Sequence, residues 1–185
     1  KLGGHLDPLT RSSLTLAKGK TLDTITSADT LAAFLPLKSD LERLSQGLYL
    51  AELVDALNPL DAPNPSAYNL LLEGLEGLGS TSNPYLLLRY LELRLLAYTG
   101  FLPEIKVCVE CRADLSPGNH LFSPQAGGVL CPTCRPLHPD AAHLSVEALK
   151  VVRYLSSATG GESAIRLRVS RSLEIRDQGG DNDPE

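Results

Sequence analysis

The chain has 185 residues, a net charge of -5, 43% hydrophobic and only 5% aromatic residues, with no Trp and no Met. That length allows one medium domain or two to three small ones. The apolar runs, such as Leu86–Leu88, are far too short to cross a bilayer, and the opening KLGGHLDPL lacks the apolar core of a signal peptide. The default is therefore a cytoplasmic protein. With no initiator Met, the sequence reads as a piece of a longer protein. Leucine carries the interior, which favours helix packed on helix. The charge is uneven. Residues 1–26 carry a net +2, residues 27–100 a net -5 and residues 144–176 a net +3. Local patches of this kind, more than the total, decide contact with phosphate.

In chain order, SSLTLAKGKTLDTIT (12–26) alternates apolar and polar residues around a Gly-containing turn and predicts a β-hairpin. A lone hairpin is marginal in water, so it needs further strands. Residues 28–35 read as a short helical turn ending at Pro36. Ser39 and Glu42 form a capping-box pattern. From there Leu41, Leu44, Leu48, Ala51 and Leu57 trace a helical face up to Asn58-Pro59. After the loop 61–66, Ser66 opens a second helix with Tyr68, Leu71, Leu72 and Leu75 inward, ending near Gly77–Gly79. Asn83-Pro84 starts a third helix, Tyr85–Tyr98, with Leu87, Leu88, Leu91, Leu95 and Tyr98 as its stripe and Gly100 just past its end. A fourth helix runs from Ser145 through Leu155 and stops near Gly160-Gly161. Residues 164–177 fit a strand or a helix equally, and 178–185 read as a disordered acidic tail.

All four cysteines fall in two pairs, VCVEC and LCPTC, at spacing C-x2-C-x19-C-x2-C: Cys108, Cys111, Cys131 and Cys134. Two residues between cysteines let both sulfurs reach one ion about 2.3 Å away in tetrahedral geometry. The intervening segment has Ser-Pro-Gly-Asn and Gln-Ala-Gly-Gly turns around Leu121-Phe122 and Val129-Leu130, the outline of a zinc ribbon. Disulfides are disfavoured without a secretory signal. A redox dithiol explains one pair but not two. Catalytic zinc needs an open position, which four thiolates close. His120, His138 and His143 could each replace a ligand, but four cysteines suffice. The expected cofactor is one structural Zn2+, holding a segment too small to build its own core.

These motifs resemble a known family. A leucine helix ending in Gly100-Phe101-Leu102-Pro103, then Cys108 with Cys111, then Gly127-Gly128-Val129-Leu130-Cys131 with Cys134, is similar to zinc-retaining members of the bacterial recombination-mediator family RecO. The resemblance covers about residues 10–175. It implies a mainly α fold with a small β part: a leucine-rich helical bundle with an inserted four-cysteine zinc ribbon, preceded by the last strands of an OB-fold. The implied division is 1–26 for the barrel strands, 27–104 for the helical domain, 105–137 for the zinc module and 138–177 for a helical segment completing the helical domain. It also implies binding of single- and double-stranded DNA and annealing of complementary strands. The implied protein partners are RecR and the acidic tail of single-strand binding protein, so that RecA can load. The location is then the bacterial cytoplasm, associated with the nucleoid. No catalysis is implied, and no P-loop, nucleophile elbow or H-E-x-x-H motif appears. Neither a membrane nor a small-molecule substrate is expected.

Candidate DNA contacts are Lys18 and Lys20 at the hairpin turn, Arg112 and Arg135 beside the knuckles, and Arg153, Arg166, Arg168 and Arg171 near the end. The plainer readings are a solvated turn for the lysines and charge balance around the zinc–thiolate core for Arg112 and Arg135. For the last set it is pairing with acidic helices. Tyr85, Tyr90 and Tyr98 read as core or rim before base-stacking residues. Glu52, Asp55, Asp61, Glu73 and Glu76 read as a solvated acidic face or a surface for a basic partner. The alternative function is a structural zinc-ribbon adaptor without DNA affinity of its own.

Overall fold

The computed structural model describes residues 3–166. The chain divides into two compact units between Thr99 and Gly100. The fold mixes helix and sheet in both.

The first unit opens with an antiparallel hairpin, β1 (Arg11–Ala17) and β2 (Thr24–Ala32). The hairpin was expected over 12–26, and β2 instead continues six residues further. The helical turn expected over 28–35 is therefore wrong. Ala28, Thr30 and Ala32 pair with Leu14, Ser12 and Arg11, so a ladder with β1 overrides the helix propensity of the Ala-rich segment. Helix appears only at α1 (Leu35–Lys38), with Pro36 in its first turn. Lys38 Nζ donates to Thr10 Oγ1 at 2.7 Å, tying α1 back to the hairpin's start.

Three longer helices follow: α2 (Leu41–Leu57), α3 (Pro65–Ser80) and α4 (Pro84–Thr99). The cap of α2 is Asp40, whose Oδ1 accepts from Glu42 N at 3.0 Å and Arg43 N at 3.1 Å. The Ser39 capping box fails because Ser39 closes α1, its hydroxyl donating to Pro36 O at 2.9 Å. Asn64 and Asn83 serve as side-chain caps before Pro65 and Pro84. Gly100, at φ 82, takes the left-handed position that ends α4. Arg43 reaches from α2 to donate to Leu78 O and Thr81 O, satisfying carbonyls at the end of α3.

The inward faces differ from expectation. On α2, Leu41 is 83% and Leu48 45% exposed, while Gln46, Gly47 and Leu50 are buried. The point of closest approach is a glycine, which a count of hydrophobic residues skips. A Cβ at Gly47 would lie 2.9 Å from Leu37 Cδ2 and 3.2 Å from Leu75 Cδ2. On α3 the buried set is Ala67, Leu70, Gly74, Leu75 and Leu78, a helical stripe. Tyr68 faces outward, with the Arg11 guanidinium 6.0 Å above its ring. On α4 Leu86, Leu87, Leu88, Tyr90, Leu91 and Leu95 are buried, Tyr98 is exposed, and Tyr85 is exposed and hydrogen-bonded to Glu42. Glu52, Asp55, Asp61, Glu73 and Glu76 are all exposed, as a solvated face requires.

The second unit contains a three-stranded antiparallel sheet in the order β4 (Gly128–Leu130), β3 (His120–Ser123), β5 (Ala142–Leu144). A 3-10 helix, Pro132–Leu137, joins β4 to the path into β5, and α5 (Val146–Ser157) and α6 (Gly161–Ala164) follow. Ser145 caps α5, accepting from Ala148 N at 3.1 Å. The strand β5 was not expected: it sits in a Pro-rich stretch that carries no alternation long enough to read. The sheet's two faces divide the core. Leu121 and Leu130 pack with Cys108 and Cys134, while Phe122, Val129 and Leu144 pack with Ile105, Leu149 and Val152. Period-two alternation thus places the cysteines on one side of the sheet and α5 on the other. Helix α5 was expected to complete the helical domain. Within the second unit its Leu149 and Val152 pack with Ile105 and Val129, and Arg153 Nε donates to Ile105 O at 2.8 Å. The undecided stretch 164–177 lies almost wholly outside the described residues.

Leu50 is fully buried among the helices of the first unit. Leu50→Ala should lower unfolding free energy by about 2–5 kcal/mol in a denaturant titration. Leu41→Ala, at a position 83% exposed, should change it by less than about 0.5 kcal/mol.

Candidate metal centre

The first knuckle, Cys108–Cys111, is a tight turn. Arg112 N donates to Cys108 O and Cys108 N to Ala113 O, each at 2.9 Å, and Val107 bridges Asp114. Arg112 itself takes a left-handed conformation at φ 61, which lets the chain reverse directly after Cys111. The second knuckle starts from β4. Cys131 is extended, Pro132 begins the 3-10 helix, and Cys134 N returns to Cys131 O at 3.1 Å.

A backbone clamp brings the two knuckles together. Glu104 N donates to Gly127 O at 2.9 Å, Val129 N to Glu104 O at 2.8 Å and Val109 N to Val129 O at 2.9 Å. Gly128 makes this possible: a Cβ there would lie 2.3 Å from Glu104 O and 2.8 Å from Glu104 N. Beyond the knuckles, His138 Nε2 and Glu110 Oε2 pair at 3.0 Å, linking the first knuckle to the end of the 3-10 helix.

The sulfurs of Cys108, Cys111, Cys131 and Cys134 all lie within 4.8 Å of one another, and none is in a disulfide. Cys111 and Cys131 are 3.8 Å apart, and Cys131 and Cys134 3.6 Å. Four sulfurs at about 2.3 Å from one ion stand about 3.8 Å apart along each edge of the tetrahedron. The residues therefore fit a closed four-thiolate metal shell. Cys108 is fully buried and Cys134 7% exposed, Cys131 is half-buried and Cys111 exposed.

The sulfurs differ electrostatically. Burial alone would push the Cys108 thiol up, but backbone N–H groups of Cys131, Cys111 and Glu110 bring it down to about 6. The Cys131 N–H lies 3.3 Å from the Cys108 sulfur. Cys134 is pushed up to about 12, first by its hydrogen bond with the Cys131 thiol and then by burial. A thiol lowered in this way by backbone N–H groups is a ready first ligand for a soft cation.

The histidines weighed as substitute ligands are placed elsewhere. His120 is buried with Nε2 bonded to Ser116 O at 2.8 Å, His138 pairs with Glu110, and His143 lies exposed on β5.

Residues 38–174 match the sequence profile of the family described as "Recombination protein O C terminal". The chain belongs to the RecO family. It is 38% identical over 173 residues to "DNA repair protein RecO" of Dehalococcoides mccartyi (strain CBDB1), covering 94% of this chain and 68% of that protein. The RecO protein of Roseiflexus sp. (strain RS-1) is 39% identical over 157 residues, 85% of this chain and 56% of its own length. That of Pelotomaculum thermopropionicum is 33% identical over 173 residues, 94% and 66% of the two chains.

The basic residues of this RecO-family chain are spread over both units. Lys18 and Lys20 are exposed in the loop between β1 and β2, where Gly19 N is held by Asp23 Oδ1 at 3.1 Å. Arg112 and Arg135 are exposed at the two knuckles, and Arg166 is exposed after α6. Arg153 is half-buried, with its Nε spent on Ile105 O. Arg168 and Arg171 lie outside the described residues. Sequence reasoning missed the Glu110–His138 pair and the Glu104–Gly128 clamp. Only the Gly-Gly before Cys131 hinted at the clamp, as a place where backbone meets backbone.

Gly128→Ala should open the clamp. Hydrogen exchange at the Val129 and Val109 amides should then speed up markedly, and unchanged protection would contradict the contact.

Proposed function

We propose that this chain is part of a non-enzymatic recombination mediator of DNA repair, built around one structural zinc ion. Membership of the RecO family, together with a closed four-cysteine cluster, carries the reading. Four thiolates fill a tetrahedral shell, leaving no position for a substrate or an activated water. When bound, the ion supplies cross-linking of the two knuckles. Among the described residues no helix is long and apolar enough to cross a membrane.

In this reading β1 and β2 belong to an OB-fold barrel. Leu14, Leu16 and Leu31 are 45%, 53% and 58% exposed on the hairpin, an apolar surface that further strands would cover. The lysines of its loop, with Arg112 and Arg135 at the knuckles, contact phosphate. The protein binds and anneals single strands, pairs with RecR, engages single-strand binding protein through its tail and so helps RecA take its place. Phosphate contacts carry affinity without sequence preference and weaken as salt rises.

The intact protein should accelerate annealing of complementary oligonucleotides in a salt-sensitive way. Arg135→Ala and Arg112→Gly, the glycine chosen because it tolerates φ 61, should each reduce the salt slope of oligonucleotide binding by about 1. No acceleration and no salt-sensitive binding would leave the zinc-ribbon adaptor as the function.

Zinc affinity should fall as pH falls. The ligand is thiolate, so protons compete with the metal. Above about 6 Cys108 already carries its charge, and below that value one more proton must be displaced. Competitive titration against a chromophoric chelator should show the pH dependence steepening below that point.

A further inference from the structure

We propose that Cys111 and Cys131 form a peroxide-sensitive pair whose oxidation to a disulfide opens the clasp. The inference rests on the zinc reading above. It comes from the inequality of the four sulfurs. Cys108 and Cys134 are buried, Cys131 is half-buried and Cys111 is exposed. A small polar oxidant such as hydrogen peroxide meets Cys111 first. The Cys111 sulfur stands 3.8 Å from that of Cys131, on the opposite knuckle. A disulfide needs about 2.05 Å, so the two must close by just under about 2 Å. The surroundings allow it. Cys111 is exposed beside the left-handed Arg112, and the Cys131 sulfur, 3.6 Å from the buried Cys134, is the one on the second knuckle that an oxidised Cys111 can reach at 3.8 Å.

The chemistry balances. The Cys111 thiolate attacks one peroxide oxygen, the O–O bond breaks, and the departing hydroxide takes a proton to become water. Cys111 is left as a sulfenic acid. The Cys131 thiolate attacks that sulfur, the S–S bond forms, the S–O bond breaks, and a second hydroxide leaves as water. Two thiolates are oxidised, both peroxide oxygens are reduced, and two protons are consumed. Cys108 and Cys134 alone cannot close the metal shell. Both belong to the small core under β3 and β4, so that face of the sheet loosens where Arg112 and Arg135 are displayed. A dithiol reductant with fresh zinc restores the clasp.

The test uses the protein as purified. Its zinc content is measured first. Hydrogen peroxide is then added, zinc release is followed with a chromophoric chelator, and disulfides are mapped by mass spectrometry of non-reduced peptides. The expected result is zinc release in step with one disulfide, Cys111–Cys131, reversed by dithiothreitol and zinc. Cys111→His keeps a nitrogen ligand but removes the attacked sulfur, and should slow release by roughly tenfold or more. If that variant fails to fold, the wild-type disulfide map still decides. A dominant Cys108–Cys111 or Cys131–Cys134 disulfide would overturn the proposal, as would zinc retained until all four cysteines reach sulfonic acid. Absence of zinc before peroxide would instead overturn the metal reading, and the map would still test the pairing.

Discussion

The convergence of four sulfurs within 4.8 Å is the contact on which the second unit depends. Its two small apolar clusters meet back to back across a sheet of three- and four-residue strands. Cores of that size rarely supply more than a few kcal/mol. A structural zinc site contributes about 10–16 kcal/mol. That is as large as the whole stability of an ordinary domain, about 5–15 kcal/mol. In the proposed state the metal therefore decides whether the unit exists, and the sheet decides which way its loops face.

The sulfurs are placed by backbone. Glu104 and Val109 pair with β4 from one side, Gly128 leaves the room for it, and Cys131 N–H points at the Cys108 sulfur. The same clamp fixes the direction of the residues just beyond each knuckle, Arg112 and Arg135. In the proposed function, a metal without a reaction of its own would connect to recognition in this way, by holding two exposed cations at the ends of two turns. The first unit is built on a different rule. There, glycines at 47 and 74 let leucine-rich helices approach closely, and side-chain caps at Asp40, Asn64 and Asn83 start each helix cleanly.

Local chemistry was the legible part. The spacing of the cysteines predicted a cluster, and caps predicted where α4 and α5 begin, whereas α3 starts at Pro65, capped by Asn64, inside the stretch expected to be loop. Signals that depend on partners distant in sequence were not legible. Residues 28–32 have helix composition but lie beside β1, which no local pattern announces. The buried face of α2 is centred on Gly47 rather than on the leucines, because packing responds to the room a residue leaves as well as to its hydrophobicity. Likewise β5 is a strand because β3 offers it an edge. Arg153 looked like a free cation in sequence, yet its Nε holds a carbonyl 48 residues away. The family was legible because its signature lies in the clasp and the helix before it, where the local pattern is most specific.

The proposed function rests on a closed, four-thiolate, tetrahedral site. Cobalt(II) substitution reads this directly. Metal-free protein titrated with cobalt should take up one ion per chain. It should develop the intense visible bands and sulfur-to-metal charge transfer of a tetrahedral thiolate complex, and zinc should displace them. A weak octahedral spectrum, or no uptake by a folded second unit, would contradict it.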